Sequence, residues 1–553
     1  MINKIKIYLC QLNFHVGDLN KNLEKIISTR EGVKNKGGDL CIFSELSITG
    51  YPPEDLVLRK SFIYAVENII LKLISLSKDG GPAIIVGYPR NDNDKLKNSA
   101  ALIDNGSISI VDKFHLPNYG VFDEARVFNS ERVSGPLVFK GIRLGLMICE
   151  DMWFSDVAES LQESGAQILI VINGSPFDQN KEDERISVAV SRVVETNLPL
   201  IYVNQIGGQD ELVFDGGSFA LNNNSKLCLQ SSLWVESENC LELSINNNGL
   251  LDINDSIINK ISNGLESKYN AMVLGLRDYV IKNNFKGVLL GLSGGIDSAL
   301  AAAISVDALG SDKVRGIRMP SQYSSQGSLD DAEETSKLLN IKIDTINIED
   351  INRSYLNNLD SLFAGLANDL TEENIQSRIR GVILMAVSNK FGDMLVSTGN
   401  KSEISVGYTT IYGDMNGGFS ALKDAYKTDV YKLSKWRNIN YNKLYLGPNS
   451  FVVPLNSINK EPSAELNLNQ KDQDSLPPYE VLDEILKNII EDEASLDTII
   501  KLGHDRQLVH RIYRLLLLSE YKRRQSAPGV KLTARSFGKE RRYPITNAFL
   551  RDK

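Results

Sequence analysis

Cysteine is scarce in this chain, which has only five among 553 residues, at positions 10, 41, 149, 228 and 240. The number is odd and no two of them form a Cys-x-x-Cys pair. The sequence therefore predicts neither a disulfide framework nor a zinc ribbon. Such cysteine usage is typical of a reducing compartment.

Long apolar runs are also missing. No stretch approaches the roughly 18 apolar residues that a membrane-spanning helix needs. The residues after Met1 enter an alternating, strand-like segment and show no signal-peptide core. We therefore expect a cytoplasmic protein with no membrane partner.

Positive charge is in deficit, because the formal net charge is -9 while 42% of the residues are hydrophobic. This balance indicates a globular protein of more than one domain and argues against nucleic acid as a partner. Small molecules are the better expectation. A locally basic segment, residues 522–542, is the exception. It is either a solvated, nucleic-acid-attracting end or an ordered lid over an acidic substrate, and its turn residues favour the lid.

Strand-like and amphipathic helical stretches alternate along both halves of the chain, which predicts layered α/β folds. In the first half Asp18 is suited to cap the first helix. A polar stretch between residues 246 and 263 and a helix over 257–281 separate the halves. We place the boundary near residue 255, giving domains 1–255 and 256–553. The second pattern predicts a doubly wound parallel sheet, and residues 457–478 are predicted to form a surface loop.

The most informative local feature is a glycine-rich turn between an apolar run and a helix-compatible stretch. Glycines permit close approach of backbone N–H groups to an anion, and the helix N-terminus adds partial positive charge. The turn is therefore predicted to bind ATP phosphates. Its residues are Gly291, Leu292, Ser293, Gly294, Gly295, Ile296, Asp297 and Ser298.

This turn lacks the Gly-Lys-Ser/Thr ending whose lysine holds a transferred γ-phosphate. It is better suited to hold a diphosphate that leaves intact, which indicates AMP transfer. The alternative is a tight turn with no ligand.

Three polar residues follow apolar runs in the first half: Glu45, Lys113 and Cys149. Together they supply a general base, a cation for an oxyanion and a thiol nucleophile, which is a sufficient set for acyl transfer from an amide. A nearby ammonium is expected to lower the thiol pKa. Taken singly, each residue has an ordinary explanation, as core filler or as a solvated strand end.

The segments around these residues (44–53, 113–124 and 148–153) resemble, in order, the nitrilase or carbon-nitrogen hydrolase family. The resemblance implies a four-layer αββα domain with Cys149 as nucleophile, Lys113 as oxyanion partner and Glu45 as proton acceptor. It adds Glu124 as a supporting carboxylate. It also implies glutamine contacts from Tyr119, Ser175 and Lys181.

In the second half the glycine turn resembles the PP-loop of ATP pyrophosphatases. The segments 373–380, 397–403, 412–418 and 460–466 are similar, in order, to NAD synthetases. The resemblance implies ATP contacts from Thr398, Lys427 and Ser463, with Mg²⁺ held by Asp297 and Glu403. It also implies contacts to deamido-NAD from Asn374, Arg378, Glu403 and Lys522.

Joined in this order, the halves resemble the glutamine-dependent NAD synthetases over nearly the whole length. The resemblance implies a ligase that uses ATP, deamido-NAD and glutamine or ammonia, with an ammonia channel and a homo-oligomeric assembly. Two alternatives stay open. One is a different PP-loop amidotransferase, as in GMP or asparagine synthesis, and the other is a regulatory protein that binds nucleotide and glutamine without turnover. Taken singly, Asp297 also fits a helix cap, Glu403 a solvated acid and Arg378 an exposed helix face.

Overall fold

The computed structural model describes residues 4–179, 181–245, 251–468 and 470–548. The chain divides into two compact units, Met1–Asn263 and Gly264–Lys553. The domain boundary near residue 255 stays a prediction. Across the described ranges, no helix is both long and apolar enough to cross a membrane.

Over its described residues, the first unit contains strands of two sheets, one hairpin and four α-helices. The strands are β1 (Ile5–Gln11), β2 (Leu40–Ile42), β3 (Ala83–Asp92), β4 (Lys95–Asp104), β5 (Ser107–Asp112), β6 (Leu137–Phe139), β7 (Ile142–Ile148), β8 (Ile168–Asn173), β9 (Leu200–Asn204), β10 (Ile206–Gln209), β11 (Leu212–Asp215), β12 (Phe219–Leu221), β13 (Leu227–Gln230), β14 (Ser237–Ile245) and β15 (Leu251–Ile253). The helices are α1 (Leu19–Asn35), α2 (Lys60–Leu76), α3 (Ser155–Glu163) and α4 (Lys181–Thr196).

Seven strands form one sheet in the order β15-β14-β1-β2-β3-β4-β5, and six form a second in the order β13-β12-β9-β8-β7-β6. The centre of each sheet is parallel, with β1, β2 and β3 in one and β7, β8 and β9 in the other. Parallel neighbours need crossover connections, and α1, α2, α3 and α4 provide them. The carboxyl ends of β2 and β7, which precede two of the predicted catalytic residues, lie in different sheets.

Alternation along β1 shows how the layers stack. Ile7 and Leu9 point into a core that also contains Leu146 and Ile148 of the second sheet. The intervening Tyr8 and Cys10 pack instead against the helices α1 and α2. Because strand side chains alternate between faces, β1 packs against the second sheet on one face and against the helices on the other. On the far side α3 and α4 cover the second sheet. The predicted αββα architecture is confirmed.

The second unit contains a five-stranded sheet and twelve helices among the described residues. The strands are β16 (Val288–Gly291), β17 (Val314–Arg318), β18 (Lys342–Thr345), β19 (Met394–Ser397) and β20 (Phe419–Ser420). The helices are α5 (Gly264–Lys282), α6 (Ile296–Leu309), α7 (Gln326–Leu339), α8 (Glu349–Leu359), α9 (Leu370–Phe391), α10 (Lys401–Val406), α11 (Lys427–Ile439), α12 (Leu455–Asn459), α13 (Tyr479–Ile490), α14 (Leu496–Lys501), α15 (Arg506–Leu518) and α16 (Glu520–Arg523).

All pairings in this sheet are parallel, in the order β18-β17-β16-β19-β20. The strand order reverses beside β16, so the crevice outside its carboxyl end is the place where such sheets bind ligands. The helix α6 follows β16 and is buried on nearly every side, which explains its apolar, alanine-rich sequence. The predicted doubly wound sheet is confirmed.

Two sequence predictions were wrong in detail. The helix predicted to start at residue 257 starts at Gly264, and Ile258 instead forms an isolated bridge with Gln230. The stretch 457–478 is not simply a surface loop, because it begins inside α12 and Ser457 is buried. Both differences depend on tertiary contacts, which the apolar content of a segment does not reveal.

Gly87 on β3 lies against the backbone of the turn that carries Glu45. A Cβ atom at this position would lie 2.8 Å from Glu45 Cα and closer still to Leu46 N. The Gly87 carbonyl also accepts a hydrogen bond from Ile48 N, at 3.2 Å. Glycine, which has no side chain, is therefore required at position 87 for Glu45 to lie where it does.

We expect Gly87→Ala to lower the apparent melting temperature by several degrees, since overpacking costs about 1–3 kcal/mol. It should also impair any activity that depends on Glu45. Gly135→Ala is the matched control, because Gly135 has open space around its Cα. Thermal unfolding of both variants measures the effect, and equal melting temperatures would contradict it.

Candidate active sites

Glu45, Lys113 and Cys149 follow β2, β5 and β7, and the fold brings them together in the first unit. All three are almost fully buried. The Lys113 ammonium donates to Glu45 Oε1 at 2.7 Å and to Glu124 Oε2 at 2.8 Å. The Cys149 thiol lies within electrostatic range of both carboxylates and of the ammonium. The three chemical functions that acyl transfer needs are thus adjacent.

The Glu45 carboxylate is held by three donors. Lys113 Nζ and Asn98 Nδ2 both donate to Oε1, at 2.7 and 2.8 Å. Gly174 N donates to Oε2 at 2.9 Å. A carboxylate fixed in this way is a pre-positioned proton acceptor.

Glu124 is the second carboxylate of the cluster. Burial is the largest influence on it and raises its pKa to about 7, with Lys113 lowering the pKa and Glu45 raising it. The Tyr51 hydroxyl donates to Glu124 Oε1 at 2.9 Å. One ammonium thus faces two buried carboxyl groups, and near neutral pH the cluster readily holds an extra proton.

Cys149 lies on a strained turn with φ of 49°, in the left-handed region that residues with a side chain rarely adopt. The turn is tied down by Asp151, whose carboxylate accepts from Ile148 N, Phe114 N and His115 N. These bonds connect the cysteine turn to the residues that follow Lys113. Backbone strain of this kind is often found at functional sites.

Lys113 lowers the pKa of the Cys149 thiol, as expected, but the net shift of that pKa is upward. Burial raises the pKa of Cys149 well above its usual value, and Glu45 raises it further, which together outweigh the lowering effect of Lys113. The resting thiol is therefore protonated, so a base must remove its proton.

Of the three residues predicted to contact glutamine, Tyr119 and Lys181 lie beside the cysteine turn, whereas Ser175 contacts Arg185. Tyr119 is exposed, and its hydroxyl donates to Glu150 Oε1 at 3.0 Å. The Ser175 hydroxyl accepts from Arg185 Nε at 3.1 Å. Lys181 Nζ lies 5.4 and 5.5 Å from the ring centroids of Trp153 and Phe122.

Sequence reasoning missed Glu150, Asn98 and Arg185. Glu150 directly follows the cysteine, which is a local signal, and burial raises the pKa of its carboxyl. Arg185 is buried against Asp215 and holds the Ser175 carbonyl at 2.9 Å. Asn98 lies in the middle of β4 and carries no local signal of function.

In the second unit a cavity of about 390 Å³ opens beside the carboxyl end of β16. It is lined by predicted ATP-site residues Gly291, Leu292, Ser293, Gly295, Ile296, Asp297, Ser298, Thr398, Lys427 and Ser463, and by Glu403. Arg380, Lys460 and Asp472 also line it. Arg380 donates from Nε to Met319 O at 3.1 Å, and burial lowers its pKa to about 10. Arg380 lies within the segment 373–380, so the resemblance of that segment to NAD synthetases could have indicated this residue.

Gly294 shapes the glycine turn without lining the cavity. Its φ is +82°, and a Cβ atom would collide with the Ser328 carbonyl oxygen. Its own carbonyl accepts from the Ser457 hydroxyl at 3.0 Å. The next residues begin α6, and the first three residues of this helix line the cavity.

Lys427 forms a second buried ion cluster. Its ammonium lies 2.5 Å from Asp297 Oδ2 and 3.1 Å from Glu403 Oε1. Burial raises the pKa of Glu403 to about 8, with Lys427 lowering it and Asp297 raising it. Asn400 Nδ2 donates to Asp297 Oδ1 at 2.9 Å.

The donor set at this cluster fits Mg²⁺, which prefers oxygen ligands and is usually bound by one or two carboxylates together with phosphates and water. Asp297 and Glu403 provide two carboxyl groups on either side of one ammonium, and a metal ion that binds there would favour the ionised form of Glu403. Within the described ranges, no group of three or more His, Cys, Asp or Glu side chains is placed to hold a metal.

Three residues predicted to contact deamido-NAD gather on the segment 407–411. Thr410 Oγ1 donates to Asn374 Oδ1 at 2.9 Å, and Arg378 Nε donates to Ile411 O at 3.3 Å. Lys522 Nζ donates to Gly407 O and Thr409 O at 2.7 and 2.6 Å. They do not line the cavity itself, whereas Glu403 does.

The basic C-terminal segment is ordered over its described part. Arg523 pairs with Glu520 at 2.8 Å, and Leu532 N and Thr533 N both donate to Asp424. Lys401 Nζ donates to Thr533 Oγ1 at 2.6 Å. Much of the charge of this segment is therefore paired within the second unit.

Two family models match the chain, one in each unit. The carbon-nitrogen hydrolase family model matches residues 6–243, and the NAD synthase family model matches residues 268–526. The class of protein is therefore an amidotransferase in which a carbon-nitrogen hydrolase domain precedes an NAD synthase domain.

Full-length relatives narrow this class. The glutamine-dependent NAD(+) synthetase of Rhodobacter capsulatus is 46% identical over 548 residues, which cover 99% of each chain. That of Xanthomonas campestris is 41% identical over 554 residues, covering 99% of this chain and 98% of the relative. The chain belongs to the glutamine-dependent NAD(+) synthetase family. The choice among PP-loop amidotransferases that the sequence left open is thereby resolved.

Solved structures support the fold. The glutamine-dependent NAD+ synthetase of Acinetobacter baumannii, in complex with adenosine diphosphate, is 38% identical with a TM-score of 0.78 and 99% coverage of both chains. The enzyme of Cytophaga hutchinsonii superposes with a TM-score of 0.83 at 20% identity, covering 99% of this chain and 98% of the other. The second likeness shows the fold alone.

The raised pKa of the Cys149 thiol predicts its reactivity in the absence of substrate. Because the thiolate is the nucleophile, alkylation of Cys149 by iodoacetamide should accelerate about tenfold per pH unit between roughly pH 7 and 9, without a plateau. Mass spectrometry of the Cys149 peptide measures the rate, with Cys149→Ser as the unlabelled control. A plateau below pH 8 would mean that the Lys113 ammonium lowers the thiol pKa by more than burial raises it.

Proposed function

We propose that the chain amidates deamido-NAD to NAD, using ATP and the side-chain nitrogen of glutamine. The observation that carries the proposal is the buried cluster of Cys149, Glu45 and Lys113 in a chain that also holds a glycine turn before α6. The first supports amide hydrolysis and the second supports AMP transfer. The family membership and the adenosine diphosphate bound by the A. baumannii relative support ATP as co-substrate.

In the first unit Glu45 accepts the Cys149 proton as the sulfur attacks the amide carbon of glutamine. The Lys113 ammonium stabilises the oxyanion of the tetrahedral intermediate, an effect worth about 3 kcal/mol for one good donor. The carbon–nitrogen bond then breaks, and ammonia leaves with the proton held by Glu45. Water, deprotonated by Glu45, hydrolyses the thioester and releases glutamate while the thiol is restored.

The amino-acid end of glutamine carries both charges and needs a partner for each. Lys181 provides the cation for the α-carboxylate, and Glu150, beside Tyr119, provides an anion for the α-ammonium. Ser175 adds polar atoms that Arg185 fixes in place. Recognition of the α-groups positions the amide over Cys149.

In the second unit the nicotinate carboxylate attacks the α-phosphorus of ATP, and the bond to the departing diphosphate breaks. The turn at Gly294 and Gly295 and the amino end of α6 hold that diphosphate. Thr398, Lys427 and Ser463 bind ATP. Mg²⁺, held by Asp297 and Glu403, supplies positive charge to the phosphate oxygens when bound.

Ammonia then attacks the acyl carbon of the adenylate and displaces AMP. Asn374, Arg378, Glu403 and Lys522 hold the dinucleotide. A protected path for ammonia between the sites is part of the proposal, because ammonia released into neutral water is protonated and loses its nucleophilic lone pair. So are a homo-oligomeric assembly, which the resemblance implies, and a cytoplasmic location, which the cysteine usage favours.

Cys149→Ala tests the division of labour. NAD formation with glutamine should fall to background, while formation with ammonium chloride should stay within about twofold of the native rate, since only the nucleophile is lost. Cys228→Ala is the matched control, because Cys228 is also buried in the same unit but its thiol donates to the backbone carbonyls of Lys226 and Ile253. Loss of both activities in Cys149→Ala, with an intact control, would overturn the proposal.

Asp297→Asn tests the second site. It removes one carboxylate while keeping the shape, and we expect ammonia-dependent NAD formation to fall about a hundredfold or more. Glutamate release from glutamine should persist, at least in part. Asp330→Asn on α7 is the control, because Asp330 is exposed and bonds only to Gln326 among the described contacts. Native amidation in Asp297→Asn would refute the assignment.

A further inference from the structure

Asn98 occupies a central position in the glutaminase cluster that neither family motif assigns. It lies within β4 and is 1% exposed. Its Nδ2 donates to Glu45 Oε1 at 2.8 Å and to Glu124 Oε2 at 3.3 Å. Its backbone carbonyl accepts from Lys113 N at 2.8 Å. One residue thus contacts the base, the second carboxylate and the lysine.

The orientation of the Asn98 amide is informative. Its Oδ1 is buried and has no hydrogen-bond partner among the residues that the structure describes. A flipped amide would place that oxygen against two carboxylates, which is electrostatically unfavourable. The amide therefore presents its donors to the carboxylates and leaves its acceptor unpaired. A buried polar atom is left unsatisfied only where another interaction compensates.

A neutral amide at this position also limits the positive charge beside Glu45 and Glu124. Lys113 donates to the same two carboxylates and is the only ammonium that contacts them in the described ranges. A second lysine would neutralise the base, whereas an amide donates hydrogen bonds without adding charge. Asn98 can thus hold the carboxyl groups of Glu45 and Glu124 together without adding a second positive charge.

We propose that Asn98 is a positioning residue for amide hydrolysis, which holds Glu45 in the orientation from which it accepts the Cys149 proton. The inference rests on the proposed function of the first unit and deepens it. Gly174 N fixes Glu45 Oε2, and Asn98 together with Lys113 fixes Oε1. Removing Asn98 leaves Glu45 with two of its three donors, Lys113 and Gly174 N, so its carboxylate is held less tightly in that orientation.

Asn98→Ala should lower kcat for glutamate release about ten- to a hundredfold, a part of what a well-placed general base contributes. KM for glutamine should stay within about twofold, because Asn98 does not contact the residues proposed to bind the α-groups. A merely structural role would instead lower the melting temperature and leave kcat near its native value.

Asn98→Asp keeps the shape and replaces the donor by a third carboxylate. At neutral pH this variant should be slower than Asn98→Ala, because the new charge repels Glu45. As the pH falls the introduced carboxyl gains a proton and becomes a donor again. The ratio of its kcat to the native kcat should therefore rise at least about threefold between roughly pH 8 and 6, while the ratio for Asn98→Ala stays flat.

Two controls keep the outcomes distinct. Asn239→Asp changes an asparagine of the same sheet whose amide also donates two bonds, to Ser231 and Ser237, and its ratio should not depend on pH. Ammonia-dependent NAD formation by each variant shows that the second unit is intact. A native kcat in both Asn98 variants, or a flat ratio for Asn98→Asp, overturns the inference. Failure of the native protein to make NAD even with ammonium would overturn the proposed function instead.

Discussion

Each proposed site is built around one buried ammonium that faces two carboxyl groups. Lys113 lies between Glu45 and Glu124, and Lys427 lies between Asp297 and Glu403. Burying charge is costly unless it is paired, so each lysine constrains the strands and helices that deliver its partners. Because the pairing leaves one negative charge in excess, both clusters attract a further positive species, whether a proton, a metal ion or a substrate cation.

The titration of these clusters follows from the same constraint. Burial raises the pKa of Glu124 to about 7 and that of Glu403 to about 8. Acids that hold a proton near neutral pH are frequent at functional sites and unusual elsewhere. In the first unit burial also raises the pKa of the Cys149 thiol well above its usual value.

Much of the fold was predictable because its signals are local. Apolar strand segments, an aspartate before α1 and the glycine turn before α6 are written in short windows of sequence. The start of α5 and the burial of Ser457 were not predictable, since both depend on what packs against them. The motifs likewise indicated Glu45, Lys113 and Cys149, whose roles stay predictions until they are tested.

The sequence by itself determined the chemistry that is available, which is a thiol, a base, an ammonium and a phosphate-binding turn, because side-chain identity and glycine spacing are properties of the chain alone. Only the tertiary structure decided how these groups affect one another. It placed Asn98 between two carboxylates, tied Lys427 to both acids proposed to hold Mg²⁺ and raised the thiol pKa. Hydrogen bonds, burial and electrostatic fields arise between residues far apart in sequence, so no local pattern contains them.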